Sequence, residues 1–240
     1  MGIPETLRAA LEPITIVVGH YGVGKTNFAV NLAIDLAREG NPVTLIDLDV
    51  VNPYFRATEQ RVLFESNGVD LIAPVYAEAG SSLDSPSLTG AIGPALSLAG
   101  TDGRMVVVDA GGDDVGATAL GRFAGIVNER DYALLYVVNA KRSMTQTPAE
   151  AIEILCEIEV ASKLRATAVV SNAHLKAETD EASILDGFDF ATKVAEEAAL
   201  PLVGVASSIR TEDDGVNRLS GRIDDNLVYD VQVYVKAPWE

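Results

Sequence analysis

Two hydrophobic rhythms alternate along the chain. ITIVVG (14–19) is a short β-branched run. KTNFAVNLAIDLAREG (25–40) places Phe28, Leu32 and Leu36 at four-residue spacing, the repeat of one helix face, and Gly40 suits its end. PVTLIDLD (42–49) predicts a second strand, residues 53–66 a helix, and VDLIAP a short third strand. RMVVVD (104–109), YALLYVVN (132–139) and ATAVVSN (166–172) are further strands. Their unbroken apolar runs suit parallel strands covered on both faces. Between the last two, Thr147 can cap a helix, Pro148 sits at its first position and Glu150 completes a capping box. Residues 188–199 read as helix ending before Pro201, followed by strands PLVGVA (201–206) and LVYDVQVYV (227–235). Residues 73–100, rich in Gly, Ser, Pro and Ala, read as a long connection with one short helix. This alternation predicts an α/β fold: a mostly parallel central sheet with helices on both faces.

Composition narrows the picture. At 240 residues, with 48% hydrophobic and 22% charged residues, residues 1–240 are expected to form one globular domain with a sizeable core. Eighteen basic residues against thirty-five acidic ones give a net charge of −17. Such a chain repels polyanions, so neither nucleic acid nor an anionic membrane is an expected partner. One cysteine, Cys156, allows no internal disulfide or cysteine-held cluster, which fits a reducing cytoplasm. Cys156 lies in a helical stretch and is expected in the core. No apolar run approaches the ~20 residues of a membrane span. The opening MGIPETLRAALEP has no signal-like apolar stretch.

The strongest chemical signal is Gly19-His20-Tyr21-Gly22-Val23-Gly24-Lys25-Thr26, which matches G-x-x-x-x-G-K-[ST] between a strand and a helix. Glycines let the backbone curl so that successive N–H groups point at phosphate oxygens, and the helix N-terminus adds a positive field. This is the P-loop of an NTPase fold. Lys25 would reach the β- and γ-phosphates and Thr26 would ligate Mg²⁺. The expected nucleotide-binding residues here are Gly22, Val23, Gly24, Lys25, Thr26 and Asn27. Asp109, ending an apolar strand, can hold Mg²⁺ directly or through water. Gly112, in Asp109-Ala110-Gly111-Gly112, could sense a γ-phosphate through its N–H. Asp47 and Asp49, two apart in LIDLD, would face the same side and need a cation or a proton between them. Asp49, nearer the loop, is the candidate for orienting the attacking water and for a place at the metal. Asp47 either supports a ligand from behind or caps a helix.

A P-loop after the first strand, IDxD after the second and DxGG after a later one resemble the ParA/MinD/CobQ group of P-loop ATPases, of the SIMIBI class, over about residues 14–206. The resemblance implies an ATP site at the carboxyl edge of the sheet, Mg²⁺, and often nucleotide-dependent homodimerisation. It implies that the Asp109 strand lies beside the P-loop strand, that Asp49 matches the hydrolytic aspartate, and that Asn172 matches the adenine-reading position. Many members carry a second lysine directly after the first P-loop glycine. Here His20 stands there, followed by Tyr21. His20 is either a partial substitute, since it can be charged near neutral pH, or a hydrogen-bonding loop residue. Paired cysteines of the iron–sulfur relatives and the basic amphipathic end of MinD-like proteins are not seen, the chain closing on NLVYDVQVYVKAPWE. Neither Asn139-Ala140-Lys141-Arg142 nor Asn172-Ala173-His174-Leu175 fits N-K-x-D, which favours ATP over GTP.

Several residues keep two readings. Arg56, in Asn52-Pro53-Tyr54-Phe55-Arg56, could contact a phosphate or pair with Glu59. Lys141 and Arg142 sit at the carboxyl edge, facing an anionic ligand or water. His174, the only other histidine, could in principle share a metal with His20, but two residues so far apart in sequence are poor evidence for a site. Glu150, Glu153 and Glu157 form a solvated helical stripe. The expectation is a slow MgATP hydrolase working as a switch, with residues 49–60, 73–100 and 109–118 contacting a protein partner. The alternative is an ATP-dependent enzyme of the dethiobiotin-synthetase or cobyrinate-amidase type acting on a small carboxylate. Those enzymes also lack the second lysine.

Overall fold

The computed structural model describes residues 2–49, 57–73, 90–112, 114–142, 145–173, 179–209, 219 and 221–234. In chain order its elements are α1 (Glu5–Ala9), β1 (Ile14–Val18), α2 (Lys25–Arg38), β2 (Val43–Asp47), α3 (Ala57–Ser66), β3 (Val69–Ile72) and α4 (Ile92–Ser97). There follow β4 (Met105–Asp109), α5 (Asp114–Gly121), α6 (Ala124–Asn128), β5 (Tyr132–Val138), α7 (Pro148–Ser162), β6 (Ala168–Ser171), α8 (Glu181–Ala198), β7 (Leu202–Ser207) and β8 (Val228–Asp230). The strands form one parallel sheet in the order β3-β2-β4-β1-β5-β6-β7-β8.

The apolar strands are continuous because both faces are covered. Ile14, Ile16 and Val18 of β1 join the core under α4, α6, α7 and the latter half of α8. Val17, between two of them, joins the opposite core with Leu7 of α1, Phe28 and Leu32 of α2, and Phe64 of α3. Period-two alternation therefore feeds two apolar layers.

β1 lies between β4 and β5, so the connections from its neighbours diverge there, with Val17 opposite Asp109 and Val18 opposite Tyr136. Such a reversal of strand order leaves a crevice outside the carboxyl ends, where α/β proteins bind ligands. The predicted neighbourhood of the β1 and Asp109 strands is thus observed.

Three local expectations are revised. The last strand ends at Asp230 rather than 235. Beyond it, Gln232 N–H donates to the Asn31 side chain (2.8 Å) and Tyr234 N–H to that of Asn27 (2.9 Å), so α2 side chains replace a strand partner. Helix α8 begins at Glu181, seven residues before the predicted 188, because Asp180 caps it by accepting from Ser183 N–H. Cys156 is exposed, not in the core. Helix α7 buries Ala151, Ile154, Leu155 and Ile158, and Cys156 falls on the other side, between the exposed Glu153 and Glu157. Among the described residues no helix is long and apolar enough to cross a membrane.

Candidate functional site

The turn from β1 into α2 is built around Gly24, the N-cap of α2, at φ 88°. This left-handed conformation favours glycine, and a side chain there would also run into the Asn172 amide. Being glycine, the cap brings no side-chain acceptor to the first turn of α2, which also carries no acidic residue. The first-turn amides of this 14-residue helix and its positive end are thus not met by a capping side chain. Lys25 is buried, and its Nζ donates to the His20 carbonyl at 3.1 Å, folding the cation into its own loop.

Acids gather on the β2–β4 side. Asp109, 2% exposed, pairs across the sheet with Val17 on one side and Asp47 on the other. Burial pushes its carboxyl up to about 6, against the pull of Lys25 and a hydrogen bond from the Thr26 hydroxyl. Asp47 is pushed up to about 8, first by burial and then by Asp109. The two carboxyls cannot both ionise cheaply without a cation between them. Asp47 Oδ1 accepts from Asp49 N–H at 2.9 Å, so it shapes the turn leading to Asp49. Asp49 is close enough to raise both neighbours.

Asp109 Oδ1 is buried with no hydrogen-bond partner. A buried anionic oxygen beside a threonine hydroxyl and a lysine is the donor set of a magnesium–phosphate site, so these residues fit Mg²⁺. Among the described residues no three His, Cys, Asp or Glu side chains form a metal cage by themselves.

Gly112 reaches the cradle from the loop after β4. A β-carbon built on it would lie 2.6 Å from both Lys25 Nζ and Tyr21 N. A glycine is required here by close approach.

Amides and cations occupy the β5–β6 side. Asn172 is buried and its Nδ2 donates to the Val23 carbonyl at 2.7 Å, tying β6 to the P-loop. Lys141 and Arg142, equivalent in sequence, separate in space. Lys141 pairs with Asp186 at 3.0 Å, while Arg142 lies over Gly22. No sequence signal distinguishes them, because the division depends on where α8 and the P-loop pack. Asn27 turns its side chain to Gln232 O and Tyr234 N, so its main chain alone is left to face a nucleotide. The His20 ring, which would need to be charged to replace a lysine, has its pKa lowered by burial and by Lys25, against a weaker pull from Glu157. Arg56, Glu59 and His174, together with residues 50–56 and 74–89 of the expected partner segments, concern sites outside the described side chains.

The chain covers 80% of itself and 59% of FtsY from Mycoplasma mycoides, at 17% identity and a TM-score of 0.54. It covers 85% of itself and 65% of chloroplast FtsY from Physcomitrella patens, at 16% identity and the same TM-score. It thus spans about three fifths of those proteins, and the likeness is one of fold. By sequence, no curated protein matches it. The model of the CobQ/CobB/MinD/ParA nucleotide binding domain matches residues 14–212, from the first residue of β1 past the end of β7. The chain belongs to the CobQ/CobB/MinD/ParA nucleotide-binding family.

Proposed function

We propose that the chain binds MgATP at residues 19–26 and hydrolyses it slowly, with the nucleotide state acting as a switch on a protein partner. The observation that carries this reading is the buried Asp109 carboxylate, its Oδ1 unpartnered, bonded to Thr26 and facing Lys25 at the mouth of the loop.

Thr26 and Asp109 would hold Mg²⁺, with Asp49 at its edge. Held there, Mg²⁺ would supply charge neutralisation to the polyphosphate. The chain's own groups supply the rest. Lys25 exchanges the His20 carbonyl for phosphate oxygens, trading a neutral acceptor for a charged one. Main-chain amides from Gly22 to Asn27 wrap the phosphates. Asp49 orients water for in-line attack, so catalysis is positioning and charge stabilisation. Asn172 reaches the adenine with the part of its amide not engaged on Val23.

A switch follows from Gly112. A γ-phosphate next to Lys25 must enter where Gly112 already lies close, so its arrival moves or recruits residues 109–118. Gly111 in turn packs directly on Gly116 of α5, which passes that displacement to the helix. A second copy of the chain is one candidate for the partner that reads it.

Isothermal calorimetry tests the reading. Lys25→Ala should abolish tight MgATP binding, and unchanged affinity refutes it. ATP should bind more tightly than GTP. A switch changes oligomeric state or partner binding between ATP and ADP, whereas the biosynthetic alternative predicts turnover only when a small carboxylate is added.

A further inference from the structure

Arg142 is held in place by a tightly built turn. Its N–H donates to the Asn139 carbonyl at 3.3 Å, and the buried Thr145 hydroxyl donates to the same carbonyl at 2.9 Å. The Asn139 side chain accepts from Lys141 N–H at 3.0 Å. This turn follows β5, the neighbour of the P-loop strand on the side away from Asp109. It sets the Arg142 side chain over the P-loop, with Cδ and Nε each 3.9 Å from a β-carbon built at Gly22.

The Nε of Arg142 is buried and has no acceptor. Its neighbour Lys141 is paired with Asp186, but Arg142 makes no ion pair among the described residues. Arg142 as a whole is half-buried, and its guanidinium, always charged, offers planar, forked donors to an anion entering beside it. The acids of the site stand on the opposite flank, at Asp47 and Asp109 across β4. The Arg142 side chain instead faces Gly22, whose backbone is the one the P-loop would turn toward phosphates.

We infer that Arg142 is a phosphate-binding residue acting in cis, its guanidinium closing the β5 flank of the P-loop over the polyphosphate of the bound nucleotide. The inference rests on the proposed nucleotide site. It assigns to the same chain a second phosphate-facing cation, at a place in the sequence far from the P-loop motif. His20 does not take that part, since burial and Lys25 hold its ring toward the neutral form. The ligand class is a linear polyphosphate, with or without a base.

The test compares wild type with Arg142→Gln and Arg142→Lys, with a thermal melt of each nucleotide-free protein as the folding control. Binding is read with a fluorescent ATP analogue and Mg²⁺, then by displacement with inorganic tripolyphosphate. Arg142→Gln should weaken both ligands by about tenfold or more, as loss of a charge-assisted contact does, and Arg142→Lys should recover part of it. Equal affinity of Arg142→Gln and wild type for both ligands overturns the inference and leaves the nucleotide site standing. So does a loss confined to the ATP analogue, which would place Arg142 on the base or ribose. If wild type binds neither ligand, the nucleotide reading falls and this inference with it. Should Arg142→Gln melt well below wild type, Arg142→Lys decides: wild-type stability with weakened binding of both ligands supports the phosphate contact, and wild-type binding overturns it.

Discussion

Gly112 and Lys25 touch across the mouth of the cradle: a β-carbon on the glycine would stand 2.6 Å from the lysine Nζ. The lysine end could swing aside, but the Tyr21 main-chain nitrogen is equally near and cannot. Gly112→Ala should therefore shift the loop after β4 away from the P-loop and destabilise the protein by about 1–3 kcal/mol, as overpacking does. Urea denaturation without nucleotide measures the loss. A wild-type midpoint would show that the contact relaxes freely.

The Asn172–Val23 bond makes a second prediction. Asn172→Ala leaves the buried Val23 carbonyl without its donor, at a cost of about 1–3 kcal/mol. Asn172→Asp should cost more, because a carboxylate would face that carbonyl oxygen. Denaturation of the nucleotide-free protein reads this structural role by itself, and the ATP-to-GTP affinity ratio of Asn172→Ala reads any role toward the base.

Protons on the acid pair give a pH dependence. Asp47 and Asp109 have folded-state values raised above the ordinary 3.8, to about 8 and about 6. Their contribution to stability is complete below the ordinary value and is lost as pH rises through the folded ones. Metal-free, nucleotide-free wild type should lose about 1–3 kcal/mol relative to Asp47→Asn between pH 6 and 8. The asparagine still accepts from Asp49 N–H, so the turn survives. A difference between the two proteins that stays flat over that window removes the proposed proton. Mg²⁺ binding should release protons and strengthen over the same range.

Tyr229 joins the far edge of the sheet to the helix that begins at Lys25. Its hydroxyl donates to Asp35 Oδ2 at 2.9 Å, and its ring meets Phe28 edge-on at 5.7 Å. Burial and the Asp35 carboxylate hold the phenol well above its ordinary pKa, so it remains a donor at all working pH values. Tyr229→Phe keeps the ring contact and removes the bond to a charged group, at about 1.5–3 kcal/mol by urea denaturation. Nucleotide affinity should change little, because the hydroxyl lies on the α2–β8 contact and not at the P-loop.

Legibility varied with how local each decision was. The P-loop, the apolar strands and the capping box of α7 were readable because each rests on neighbours within a few residues: β-branched runs, glycines at set intervals, Thr147 with Glu150. Asp109 was readable because a polar residue closing an apolar run must lie at a strand end. Helices α1, α5 and α6 were missed; α1 and α6 have five residues each, too few to display a period. The exposure of Cys156 was misread because α7 is apolar enough that its buried side shows only after packing.

The sequence by itself determined that strands and helices alternate, that both sheet faces are covered, and that residues 19–26 form a phosphate-type turn, since periodicity and backbone freedom are properties of short stretches. Tertiary structure alone decided the strand order that sets Asp109 and Asp47 together, the bond from Asn172 to Val23, and the division of Lys141 to Asp186 from Arg142 to Gly22. These pairings join residues 45 to 149 positions apart, and only the packed sheet, by bringing strand ends to one edge, converts that separation into contact.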